Sequence, residues 1–189
     1  LAFFPGQRHL QAEAVAAVSD PLASFSVGST LLRTGSSVLG DLLKGIGLDL
    51  TGTSLVGYNG LAQVQVTPAG LLQVLGIPVA ADIGVGELNT LLAAQHVQLG
   101  TLLDAIVTVA GQNTLLSSNA ALLNAVVTRV GASGLQVQLG SLATGPSGLF
   151  AEIVAPGASA NSALNVGVNA LDLLYSSIGV ATQKHAVAV

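Results

Sequence analysis

Cysteine, methionine and tryptophan are absent from the 189 residues, and aromatic side chains make up only 3% of them. Without cysteine there is no disulfide framework, no thiolate metal site and no dithiol redox motif. Without tryptophan, and with four phenylalanines and two tyrosines, the core has to be built from Leu, Val, Ile and Ala. The aromatic anchors that dominate many transient interfaces are scarce as well.

Charge is the other shortage. Charged residues are 7% of the chain, against about 25% in an ordinary soluble domain. The surface is therefore dressed with Ser, Thr, Asn, Gln and Gly, or is covered by a partner. So little charge repulsion leaves self-association unopposed. The net charge is −4, and the five basic residues (Arg8, Arg33, Lys44, Arg129, Lys184) are all at least eleven positions apart. Nucleic-acid binding wants clustered cations against phosphates, so that function class is set aside. Disorder is set aside too, because hydrophobic residues reach 51% and disorder goes with low hydrophobicity.

What is present is a long succession of aliphatic stretches, with a mean hydropathy of +0.74. The nearest thing to a membrane span is 105–128, AIVTVAGQNTLLSSNAALLNAVVT. Polar groups at its centre are costly inside a bilayer, and two short helices joined near Gly111 fit it better. The chain opens at Leu1 and not Met, which is read as a processed product or an excerpt, with any signal peptide or anchoring helix upstream.

Gln7–Val18 (QRHLQAEAVAAV) is expected to be a helix, ended by Asp20-Pro21. A second, glycine-interrupted helix is expected over Leu31–Leu43. An extended stretch at Ile46–Tyr58 then leads into Asn59-Gly60 and Leu61–Thr67. Asn-Gly supplies the positive φ values of a type I′ turn, so the pattern predicts a hairpin. Val64 and Val66 alternate with Gln63, Gln65 and Thr67, as a half-buried strand should. Thr67 is expected to cap the next helix, with Pro68 at its first position and Gly76 as its stop.

This strand–cap–helix unit recurs with variable spacing. VQVTPAGLLQVLG (64–76) is followed by VQLGTLLDAIVTVAG (97–111), and more loosely by LQVQLGSLATG (135–145) and LNVGVNALDLLYSSIG (164–179). Further helices are expected at about 85–94, after Gly84-Val85-Gly86, and at about 118–130, capped by Ser118. Gly145–Gly148 and Pro156–Ala160 read as loops, and His185–Val189 (HAVAV) as a terminal strand. The fold class expected is α+β: a mixed or mainly antiparallel sheet of four or more strands with several short helices packed on it. An all-helical bundle fits less well, because VQV and NVGV have the wrong period. Residues 1–20 are expected to form an N-terminal helix that follows an unseen anchor, and 21–189 a single α+β domain.

Chemistry is hard to assemble from these residues. His9, His96 and His185 are isolated, and His96, with Asp104 and Glu87 eight and nine positions away, is the best candidate for a metal ligand. A metal needs three or four converging ligands, so a strand-edge histidine bonded to backbone or water is the better reading. Asp41 and Asp49 flank Lys44, and Asp82 and Glu87 flank a glycine-rich turn. A glycosidase pair would want aromatic platforms, for which only Tyr58, Tyr175 and the phenylalanines exist. Asp41, Asp82, Glu87, Asp104 and Asp172 instead fall near expected helix starts or within short helices, where capping and the helix dipole explain them. The Gly-x-Ser-x-Gly, Gly-x-Gly-x-x-Gly and phosphate-loop patterns are all missing. No catalytic, cofactor-binding or metal residue is assigned, and a non-enzyme is expected.

Four segments nevertheless resemble a family. QRHLQAEAVAAV (7–18), GTSLVGYNGLAQVQVTPAGLLQVLG (52–76), HVQLGTLLDAIV (96–107) and ALNVGVNALDLLYSSIGVATQKHAVAV (163–189) resemble TadG-like proteins of the tight-adherence, or Flp-type, pilus-assembly system. The likeness is strongest around Ser54–Leu72 and Asn165–Val189. It departs at the segment after the anchor, where an acid and a run of alanines is usual and this chain has AEAVAAVSD. The resemblance implies a minor pilus component whose exported domain follows an N-terminal anchor, with no catalytic residues to transfer.

The function expected is a structural or scaffolding component of an extracytoplasmic surface assembly, at the cell surface or secreted. The alternatives are a self-polymerising filament subunit and a module for a hydrophobic ligand. Partners are expected to be proteins or further copies of the chain, met through His185–Val189. Membrane contact is expected only through the unseen anchor.

Overall fold

The computed structural model describes residues 58, 60–131, 133–141, 148–153 and 159–182. The sequence expectations for Gln7–Val18, Leu31–Leu43, Ile46–Gly57 and His185–Val189 lie outside these residues, as do Asn59 and most of the two loop stretches.

Among the described residues the fold is carried by helices α1 (Pro68–Val74), α2 (Val85–Ala94), α3 (Leu99–Val109), α4 (Leu116–Val130), α5 (Asn161–Leu164) and α6 (Ala170–Ala181). The strands are short: β1 (Gln65–Val66), β2 (His96–Gln98), β3 (Gln136–Gln138) and β4 (Val168–Asn169).

The expected α+β sheet is therefore overturned, since 58% of the described residues are helical and 13% are in strands. The physical reason lies in the residues that come directly after each alternating run. Thr67, Gln98 and Asn169 are helix N-caps, so three of the four strands end after two or three residues. The Leu-rich sequence beyond them has the helical period and takes most of the apolar burial.

The pairing also differs from the local hairpin that Asn59-Gly60 suggests. Tyr58, Gly60 and Leu61 are helical, so the expected strand over Leu61–Thr67 shrinks to Gln65–Val66. That strand pairs antiparallel with β4, a hundred residues on, with Gln65 opposite Asn169 and Val66 opposite Val168. Strands β2 and β3 form a second antiparallel ladder, His96 opposite Gln138 and Gln98 opposite Gln136. The ladders are nested, β1–β4 enclosing β2–β3 along the chain, and the described strands form two separate two-stranded sheets. The alternation itself survives: Val66 is buried while Gln63 and Gln65 are exposed.

Local punctuation matches the sequence well. The Thr67 hydroxyl accepts from Gly70 N at 3.1 Å, with Pro68 at the first helical position. At the other end Gly76 has φ +70°, the left-handed conformation that costs glycine little. Gly76 N donates to Gln73 O at 3.1 Å and Ile77 N to Leu72 O at 2.9 Å, the paired closure of a Schellman motif.

The same closure recurs after α3. Gly111 has φ +69°, Gly111 N reaches Thr108 O at 3.0 Å and Gln112 N reaches Val107 O at 2.8 Å. The uncharged 105–128 run is thus broken at Gly111 as expected, and no described helix is long and apolar enough to cross a membrane. One expected cap moves: a 3-10 turn at Asn113–Leu115 leads straight into α4 at Leu116, so Ser118 lies inside the helix.

Helix α3 is the centre of the fold. Leu99, Leu102, Leu103, Ala105, Ile106 and Val107 are all buried, more than one stripe of the helix, as befits an element packed on several sides. It contacts α1, α4, α6 and the β2–β3 ladder. Fully burying each leucine contributes about 1.5–3 kcal/mol. Phe150 is the one large aromatic hydrocarbon in the described core, consistent with an interior filled by aliphatic side chains.

Candidate functional site

The described titratable side chains other than tyrosine are Asp82, Glu87, His96, Asp104, Glu152 and Asp172, and all six are exposed. Glu87 and Asp172 lie in the first turns of α2 and α6, where a negative charge meets the positive end of the helix dipole. Asp82 precedes the Gly84 N-cap of α2, while Asp104 lies in the middle of α3.

His96 opens β2, and its side chain is exposed. Glu87, His96 and Asp104 do not form a ligand group: among the described residues no three His, Cys, Asp or Glu side chains are placed to hold a metal. His9, Asp41, Lys44, Asp49 and His185 lie outside the described residues.

The polar chemistry of the interior is instead concentrated on tyrosine and asparagine. Tyr58, fully buried, donates its hydroxyl proton to Asn119 Oδ1 at 2.7 Å. Asn119, 2% exposed, donates from Nδ2 to Asp104 Oδ1 at 3.0 Å. The ionised carboxylate only accepts, so it fixes which way the Asn119 amide faces. The amide oxygen is then left to take the tyrosine proton. This chain of two hydrogen bonds joins the helical turn before β1 to α4 and α3, and it meets solvent at Asp104.

Two other asparagines fasten segments that sequence places far apart. Asn89, buried on α2, donates from Nδ2 to Ile153 O at 2.9 Å and accepts from Ile153 N at 3.2 Å. Its side-chain amide thus pairs with the chain as a neighbouring strand would. Asn169 caps α6, its Oδ1 accepting from Leu171 N at 3.0 Å and Asp172 N at 3.2 Å, while its Nδ2 donates to Ala62 O at 2.8 Å. Among the described residues every buried side-chain nitrogen and oxygen has a hydrogen-bond partner. An unpaired one would cost about 1–3 kcal/mol.

These three asparagines were not singled out by sequence reasoning, although each leaves a signal. Asn119 sits on the apolar stripe of α4, with Leu115 four residues before it and Leu122, Leu123 and Val126 three, four and seven after. Asn89 lies likewise between Val85 and Leu92. Asn169 stands three residues before Asp172, the spacing of a cap followed by an acidic third helical position.

Tyr58 and Tyr175 both have hydroxyl pKa values raised well above the ordinary 10.0. Burial is the larger cause in each, and the negative charge of Asp104 or Asp172 adds to it. In the unfolded chain both ionise near pH 10. Above that pH the unfolded state holds fewer protons than the folded one, so stability falls as pH rises. The protein has no tryptophan and only these two tyrosines, which makes phenolate absorbance a clean reporter. At pH 11 we expect little phenolate signal from the native protein and nearly the full signal in urea. Equal signals in the two states would show that neither hydroxyl is shielded.

One open groove is lined by Ala69, Gln73 and Gly76 at the end of α1, by Ile77–Ala81, and by Asn161, Leu164 and Asn165 around α5. Its volume is about 480 Å3 and none of its lining residues is charged. No family model, no curated protein and no solved structure matches the chain.

Proposed function

We propose that the chain is a non-enzymatic structural or scaffolding component of an extracytoplasmic surface assembly, associated with a pilus of the tight-adherence type. The observation that carries this reading is how the buried and half-buried polar side chains are used. Tyr58, Asn89, Asn119 and Asn169 each tie together elements distant in sequence. They rigidify an aliphatic core and do not converge on a common space where a reactant would sit.

Scarce charge supports the same reading from outside. A neutral polar coat, 7% charged over the whole chain, offers little repulsion to a packed neighbour. The pilus association rests on the resemblance to TadG-like proteins carried by 52–76 and 163–189.

The test is made in the source cells. Antibody against the chain should label intact cells, and deletion of its gene should weaken their attachment to a surface. Labelling only after permeabilisation, with attachment unchanged, would overturn the proposal. Sedimentation of the purified chain over a wide concentration range separates the roles: a scaffold reaches a fixed size, whereas growth without limit would favour a filament subunit.

A further inference from the structure

We draw no further inference here: the strongest candidate, the open uncharged groove between the C-terminal end of α1, the 77–81 segment and α5, has nothing in the structure to show what covers it.

Discussion

Replacing Asn119 by alanine is expected to destabilise the protein by about 3 kcal/mol, near the upper end of the cost of orphaning a buried polar group. The substitution removes the acceptor of the Tyr58 hydroxyl, which is fully buried and has no water to turn to. It also removes the amide that Asp104 orients. Tyr58→Phe should cost less, about 1 kcal/mol, because it leaves only an acceptor, Asn119 Oδ1, without its donor, and an unmet carbonyl is tolerated better than an unmet buried proton donor. In the Tyr58→Phe background, Asn119→Ala should therefore cost about 1–2 kcal/mol less than in the natural chain. Urea unfolding of the four proteins measures the coupling. Strict additivity would mean that the hydrogen bond does not join the two elements.

The second large effect is expected at Gly140, where three pieces of backbone meet. Gly140 N donates to Leu92 O at 2.9 Å on the last turn of α2, and Gly140 bridges in parallel to Phe150. A Cβ on Gly140 would stand 2.6 Å from Leu92 Cβ, 2.7 Å from Ala93 N and 2.8 Å from Leu92 C. Two of those atoms are helix backbone and cannot swing aside as a flexible side chain would.

A Cβ on Gly148 would in turn run into the backbone of Gly140 itself. Gly140→Ala should thus cost about 3 kcal/mol, the upper range for overpacking. Gly86→Ala, in α2 with open space around it, should stabilise by about 0.5–1 kcal/mol through helix propensity. Thermal melts of the two variants would show the midpoint moving in opposite directions. Equal and small shifts would mean that α2 and Gly140 are not in close contact.

The elements whose causes are local were legible in the sequence. Thr67, Pro68 and Gly76 bound α1 because a cap, a fixed φ and a left-handed residue act within one turn of the helix they delimit. Gly111 splits the 105–128 run for the same reason. Pairing was not legible, because the partner of Gln65–Val66 lies at Val168–Asn169 and no local pattern names it. Asn59-Gly60 has the composition of a hairpin turn, but Tyr58, Gly60 and Leu61 are helical, so tertiary context outweighs turn propensity.

The extent of the strands was overestimated because VQV and NVGV alternate for only a few residues before a helix cap intervenes. The interior polar network was partly legible. An asparagine on a helix's apolar stripe must find a partner, but only the folded chain says that Asn119 finds Tyr58 and Asp104.

On the proposed structural reading, the exposed carboxylates and imidazole are surface groups, and the interior amides hold the fold together. The most direct test changes His96, the best metal-ligand candidate in the sequence, together with Glu87 and Asp104, the acids nine positions before and eight after it. In a deletion strain, the Glu87→Gln, His96→Gln, Asp104→Asn triple variant is used to restore the chain. The Asp104→Asn change keeps an oxygen to accept from Asn119 Nδ2, so no buried amide proton is orphaned. We expect the variant to fold, with the circular dichroism of the natural chain and a urea midpoint only modestly lowered by the lost helix-end charge and charge-assisted bond, and to restore surface attachment to the natural level. A variant that folds normally and fails to restore attachment would contradict a purely structural role.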